Sequence, residues 1–300
     1  LADDASEPEG EYEILVGKTN REENGGYSVD REELGTDGFE IKWAGKKLII
    51  AGGEVRGTLY GVYDFLEQLG CRFFSTDTEV VPSVETLTLD TTQTTKEKPA
   101  FEYRDLFWTC TFDEVISAKM RLNGSVVSGE NGRIISDAYG NGLEYAGDHF
   151  VHTFHYLVPP EEYFEEHPEY YSEIDGKRTS EYLYSQLCLT NPDVLQITID
   201  KVREWLRANP NAKIVSVSQD DSYVINSYCT CEKCSEVNKE ERSNSGTLIR
   251  FVNAVADAIK DEFPDVAVDT LAYQYSIEPP RKTEPRDNVC LLYTSPSPRD

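Results

Sequence analysis

Cations are scarce in this sequence. Lysine and arginine together number 29 against 55 aspartates and glutamates, a formal net charge of −26 over 300 residues. Nucleic acids and anionic membrane surfaces recruit proteins through clustered positive charge, so this balance argues against both as partners. Long apolar runs are missing too: no stretch approaches the roughly 20 residues that cross a bilayer, and no transmembrane segment is expected. The opening LADDASEPEGEYE has neither an initiator methionine nor a signal-peptide pattern, which reads as a mature or truncated piece. Histidine is rare, with four in all, and the seven cysteines are an odd number, so at least one thiol has no partner within the chain. What is present is ample for folding. A hydrophobic content of 39% is enough for two domains, or for one large α/β domain with an accessory. The 18 tyrosines suit stacking on sugar rings, although tyrosine in cores and on plain surfaces is commoner.

The first hundred residues read as strands followed by a helix. EYEILVG is a strand; GFEIKWAG and KKLIIAGG form a hairpin-like pair with turn chemistry at Ala44-Gly45 and Gly52-Gly53. From Glu54, Val55, Leu59, Val62, Tyr63, Leu66 and Leu69 recur at helical steps, with Gly70 as the stop. This predicts a small α+β sandwich with one helix on one sheet face. TLTLDTTQTTKEKP, polar and threonine-rich, reads as a closing edge strand and then a linker, placing a boundary at residue 98. FEYRDLFW alternates like the first strand of a second domain, and Phe112 to Leu122 like its first helix. Residues 124–147, rich in glycine, serine and asparagine, read as a long loop.

Further on, a βα rhythm is plain. NPDVLQITIDKVREWLRAN starts a helix with Asn191 as cap and Pro192 in the first position. KIVSVSQDD is a short buried strand that empties into two carboxylates, and a helix over 245–263 and a strand over 266–275 follow. A parallel barrel and an open doubly wound sheet both fit this rhythm. In either, polar residues at strand ends are the candidates for a site: Gln219, Asp220 and Asp221 on one strand, Tyr273 and Tyr275 on the next, the tyrosines as sugar-stacking rings or as core and rim. Asp220 and Asp221 point to opposite faces if the strand persists. His149, His152 and His155 precede a Pro-Pro break; on a strand they alternate in face and cannot form one metal site, and His152 or His155 is the candidate substrate contact. Cys229, Cys231 and Cys234 form C-x-C-x-x-C. Three thiolates make a structural zinc site only with a remote fourth ligand; a disulfide such as Cys229 with Cys234, or unmodified thiols, are the alternatives. No cofactor is required by these patterns, the structural zinc being one of these three alternatives.

YEILVGKTNRE, GFEIKWAGKKLIIAGGEVRGTLYGVYDFLEQLGCRFF and VVP resemble the accessory N-terminal domain of bacterial α-glucuronidases and family 20 β-hexosaminidases, which is non-catalytic and packs against a (β/α)8 barrel. HFVHTFHYLVPPEEYFEEHPEYYSEIDGKR, QLCLTNPDV, SVSQDD, CTCEKC, SGTLIRFVNAVADAI and DTLAYQY resemble an uncharacterised bacterial family, known only as a domain of unknown function, that is joined to this accessory domain in carbohydrate-processing bacteria. The resemblance implies an accessory domain over residues 1–98 and a glycoside-hydrolase-like (β/α)8 TIM-like barrel over 99–290. Arg104 is similar to the strand-one arginine that holds sugar hydroxyls in the hexosaminidases, a structural salt bridge being the alternative. Family 20 enzymes carry Asp-Glu where this chain has Asp220-Asp221, and the missing glutamate departs from their substrate-assisted mechanism. Asp221 matches the acidic position of the uncharacterised family. The implied function is a carbohydrate-active protein, a glycoside hydrolase on a glycan or a glucuronic-acid-containing polysaccharide; a non-catalytic carbohydrate-binding or cell-surface module is the alternative. The expected location is periplasmic or extracellular.

The final LLYTSPSPRD lacks apolar alternation and resembles a translated sequencing-adaptor artefact. Residues 291–300 are therefore expected to be non-native, the barrel truncated before closure, the second catalytic carboxylate missing and the fragment inactive, because an open barrel leaves strand edges unpaired.

Overall fold

A computed structural model of the chain describes residues 6–24, 26–106, 108–125 and 134–293. These fall into two compact units, residues 6–125 with 134–142, and residues 143–293.

In the first unit, strand β1 (Glu13–Val16) lies parallel to β3 (Lys47–Gly52), β2 (Phe39–Ala44) runs antiparallel to β3, and β4 (Thr95–Glu97) closes the sheet against β2. Ala44 pairs with Lys47, so the β2–β3 turn has two central residues, and Gly45 supplies the positive φ of 61° that so tight a turn demands. Helix α1 (Gly57–Gln68) covers one face, packing Tyr60, Val62 and Phe65 on Phe39, Ile41, Leu48 and Ile50. The contact face therefore centres on Tyr60 and Gly61, not on the stripe from Val55 to Leu69 that periodicity predicts; Val55 precedes the helix and is exposed. Gly61 explains the shift. A Cβ there would meet Phe39 Cβ at 3.1 Å and Ile50 Cγ2 at 3.2 Å, so the helix approaches the sheet along a position with no hydrophobic signal of its own.

Within TLTLDTTQTTKEKP the edge strand is Thr95–Glu97, close to the proline that ends the stretch. FEYRDLFW forms no strand among its described residues, and Phe107 lies outside them. Phe101 and Trp108 are exposed, and the segment is tied by one side chain and two backbone amides: Arg104 N donates to Asn123 Oδ1 (2.8 Å), and Asn123 N and Gly124 N donate to Arg104 O. The expected helix over 112–122 is a 3-10 turn followed by α2 (Glu114–Lys119), capped by Asp113, whose Oδ1 accepts from Ile116 N. Both segments pack within the first unit, where Tyr60 Oη donates to Leu122 O.

The second unit contains α3 (Pro192–Ala208), β5 (Ile214–Ser216), α4 (Glu232–Glu241), α5 (Ser245–Ile259), β6 (Ala267–Ala272) and β7 (Val289–Tyr293). Asn191 caps α3 as its sequence predicts, accepting from Asp193 N at 2.9 Å. The three strands form a parallel sheet in the order β5-β6-β7, and an isolated parallel bridge from Tyr145 to Ile214 continues it beyond β5. Among the described strands, spatial order thus follows chain order. α3 and α5 pack together with Val215, Val217 and Val268 in one core. The opposite face of the strands carries Ser216 and Asp269, because side chains alternate along a strand. β7 runs past Cys290, with Leu291, Leu292 and Tyr293 paired to Thr270, Leu271 and Ala272, so the strand does not stop where its lack of alternation suggests. The remainder of the suspected tail, 294–300, lies outside the described residues. No described helix is long and apolar enough to cross a membrane.

Candidate active site at the carboxyl ends of the parallel strands

β5 delivers Gln219, Asp220 and Asp221 at its carboxyl end, and β6 delivers Tyr273. A third contribution comes from the histidine segment, which is not the strand that alternation assumes. Phe154–Leu157 is one turn of helix preceded by Thr153, whose Oγ donates to Ser216 O at 3.0 Å and so fastens the turn to β5. His152, just before this turn, adopts φ 57°, a left-handed conformation unusual outside glycine. In place of strand alternation, this geometry sends His152 and His155 to the same loop.

Each acid has its own partner. Asp220, largely buried, accepts from His155 Nδ1 (2.7 Å) and from His155 N (3.3 Å). Its backbone is clamped by one amide: Asp220 N donates to Gln186 Oε1 (2.8 Å) and Gln186 Nε2 donates to Asp220 O (2.9 Å). Asp221 Oδ1 accepts from Tyr273 Oη (3.0 Å) and from Ser222 N (2.9 Å). Burial, then the Asp221 carboxylate beside it, holds the Tyr273 hydroxyl above its ordinary pKa, so it remains a donor at neutral pH. His152 Nδ1 lies 2.8 Å from Gln219 O; a carbonyl only accepts, so Nδ1 carries the proton. The carboxylate facing His155 Nδ1 favours the same assignment there, and in the neutral form Nε2 of each ring is then the acceptor.

Around these groups Tyr156, Tyr182, Tyr184 and Tyr223 are exposed. Tyr182 lies edge-on to His155, with centroids 4.9 Å apart, and Tyr184 meets Tyr223 at 5.7 Å. A cavity of about 20 Å³ sits between His155, Tyr182, Gln186 and Asp220. A larger one, of about 740 Å³, follows α5 past Arg250, Asp257 and Arg286, away from the strand ends and lined by groups already paired as ions.

Five of the candidates read from the sequence converge here: His152, His155, Asp220, Asp221 and Tyr273. Three take other places. Gln219 is completely buried, and its amide is engaged by Tyr273 O (2.8 Å) and Ser276 Oγ (2.5 Å), so it ties the two strand ends together rather than facing a ligand. Tyr275 is turned inward by the 3-10 turn Gln274–Ser276 and packs on Tyr228, which removes it as a stacking platform. Arg104 belongs to the first unit, where its guanidinium bonds Asp37 Oδ2 (2.5 Å), Arg121 O and Phe101 O; Arg56 and Asn123 share the same carboxylate, so the salt-bridge alternative fits the geometry. His149 stacks on Tyr156 at 3.8 Å, and burial lowers its pKa.

Two features carry little signal in the sequence. Asp269, in the middle of β6, is wholly buried on the face opposite the helices; Tyr145 Oη donates to its Oδ2 (2.9 Å), and Oδ1 has no hydrogen-bond partner among the described residues. Burial pushes its carboxyl up to about 7. An aspartate inside an apolar strand was the available signal. The second feature is Cys188, whose Sγ lies 3.7 Å from that of Cys231 and 3.9 Å from that of Cys234; with Cys229 the four sulfurs all fall within 4.8 Å of one another. This is the one group of metal-ligand type among the described residues, and it contains no histidine.

The fold and site define a mixed α/β protein of two units whose polar loops gather at the carboxyl edge of a parallel sheet. The chain belongs to the family described as Domain of unknown function (DUF4838), whose model matches residues 73–295. A second model, Glycosyl hydrolase family 67 N-terminus, matches residues 2–65. These are the two families that the second and first parts of the sequence, respectively, resemble. No curated protein matches the chain. Among solved structures it is similar to the β-N-acetylhexosaminidase from Bacteroides fragilis NCTC 9343, at 12% identity and a TM-score of 0.44 over 87% of this chain and 57% of that one. It is also similar to the GH20 β-N-acetylhexosaminidase from Streptomyces coelicolor A3(2), at 11% and 0.43 over 94% and 56%. A variant of the Streptomyces plicatus β-hexosaminidase in complex with its product GlcNAc gives 12% and 0.43 over 94% and 64%. The chain thus spans less than two thirds of the length of each.

Proposed function

We propose that this protein acts on carbohydrate, as a glycoside hydrolase whose site lies at the carboxyl ends of (β/α)8 barrel strands. The observation that carries the reading is the pairing of Asp221 with Tyr273 across the ends of two neighbouring parallel strands, with His152 beside it and exposed tyrosines around it. Carboxylates supply the acid and base chemistry of glycoside hydrolysis, and ligands of parallel α/β sheets bind at the strand carboxyl ends. The sequential strand order supports the barrel, and the match to the glycosyl hydrolase family 67 N-terminus supports the substrate class.

In this reading Asp221 faces the sugar and Asp220, sequestered by His155 and Gln186, shapes the loop. Among the described residues neither carboxylate has lysine or arginine as a bonded partner, which suits an uncharged or N-acetylated glycan better than a uronate. The test is an assay of the full-length gene product against a panel of neutral, amino-sugar and glucuronic-acid-containing glycans, scored for binding and for released reducing ends. Turnover that falls at least 100-fold in Asp221→Asn, with an unchanged circular dichroism spectrum, supports the hydrolase. Binding without turnover, indifferent to Asp221→Asn, sinks it in favour of a binding module. Preference for uronates would overturn the substrate assignment alone.

A further inference from the structure

The C-x-C-x-x-C motif supplies too few ligands for a closed metal site, and the fold brings the missing one. Cys229 and Cys231 lie in the loop that follows the Asp220-Asp221 turn, and Cys234 is in the first turn of α4. Cys188 arrives from a separate segment, held there by the bond from Cys188 N to Tyr170 O (2.8 Å). Three of the four are buried and Cys231 is half-buried; none is in a disulfide. Four sulfurs bound to zinc at about 2.3 Å in a tetrahedron are separated by about 3.8 Å, and the two Cys188 separations, 3.7 and 3.9 Å, bracket that edge. The surroundings also suit thiolate sulfur. Glu173 N donates to Cys229 Sγ (3.3 Å), Arg178 Nη1 to the same sulfur (3.4 Å), and Thr190 Oγ1 lies 3.2 Å from Cys234 Sγ. Donors aimed at coordinating sulfur are the usual outer shell of such a site.

We infer that Cys188, Cys229, Cys231 and Cys234 bind one structural zinc ion, and that this ion fastens the loop carrying Asp220 and Asp221. The mechanical link is short. Gln186, which clamps both backbone groups of Asp220, is two residues before Cys188, while Cys229 and Cys231 close the far end of the same loop. Four soft ligands with no open position leave no place for substrate or water, so the ion shapes the site without entering the reaction.

Metal analysis of the full chain, purified without chelator from zinc-supplemented cells, tests this directly. The expected result is about one zinc per chain, with an X-ray absorption spectrum of four sulfur neighbours at about 2.3 Å. Cobalt(II) substitution should give thiolate-to-metal charge-transfer bands. Cys188→Ser should cut zinc retention during dialysis at least tenfold, Cys188→His should preserve it, and Cys110→Ser, in the other unit, should leave it unchanged. Should Cys188→Ser not fold, competitive zinc titration of the reduced wild-type chain decides the same point. Chelation should raise protease cleavage between residues 219 and 234 at least fivefold. Absence of zinc, iron in its place, or an intact mass 2 or 4 Da low from disulfides among these cysteines would overturn the inference. None of these readouts depends on glycan activity, so the metal site and the proposed function can fail separately.

Discussion

Asp269 is a carboxyl wholly buried in a strand, and its environment leads to a pH dependence. Its folded-state pKa of about 7 lies above the ordinary 3.8, so between these values the folded chain binds a proton that the unfolded chain has released. Stability from this group is therefore complete below about pH 4 and declines as pH rises through 7. Asp269→Asn should remove the decline: in urea melts from pH 4.5 to 7.5, the difference in unfolding free energy between variant and wild type should grow in favour of the variant. A constant difference would show that Asp269 ionises normally. Tyr273 gives a second test at this scale. Its hydroxyl is the only side-chain donor to Asp221 among the described bonds. Tyr273→Phe should leave stability within about 1 kcal/mol, the net worth of one partly exposed hydrogen bond, and weaken glycan binding measurably by calorimetry.

Between elements, the most concentrated tie is Glu241 at the end of α4. Its buried carboxylate accepts from Arg250 Nε (2.9 Å), Thr283 Oγ1 (2.6 Å), Lys282 N (2.8 Å) and Thr283 N (3.1 Å), joining α4 and α5 to the segment that leads into β7. Burial alone would raise the pKa; these donors outweigh it and hold the carboxyl at about 2. Being depressed below its ordinary 4.5, this group adds stability above that value and loses it as pH falls toward 2. Glu241→Gln should cost on the order of 3 kcal/mol, as expected when one member of a buried charged network is removed, and should flatten the acid limb of the stability curve. An unchanged melting temperature would refute the role. Legibility at this scale was uneven. Strands β1, β2, β3, β5 and β6 and helices α3 and α5 follow from periodicity and caps, because each carries either a one-sided apolar pattern or, as β3 does, a short continuous apolar run buried on both faces. FEYRDLFW has the pattern of a strand but pairs with no strand among the described residues, and its backbone is claimed by Asn123 instead.

For the whole molecule, charge is the dominant global property. A net charge of −26 repels itself in the compact state, so raising sodium chloride from about 20 to about 200 mM should increase the melting temperature by a few degrees, since the Debye length contracts from about 20 Å to under 10 Å. No rise would mean that local ion pairs such as Arg21–Glu13 and Arg56–Asp37 already offset the repulsion. The sequence by itself determined what is local: the charge balance and what it argues against, the elements with a clean period, the cap at Asn191, and two acids at the end of a buried strand. Tertiary structure alone decided what is joined from afar. It placed Cys188 beside the C-x-C-x-x-C loop and Gln186 against Asp220. It also turned the histidine segment into a helical turn and buried Gln219 and Tyr275, which sequence position offers to a ligand. The physical reason is that periodicity reports which face of an element is buried, while ligand sets and hydrogen-bond clamps depend on which separate segments the packed core brings within about 4 Å.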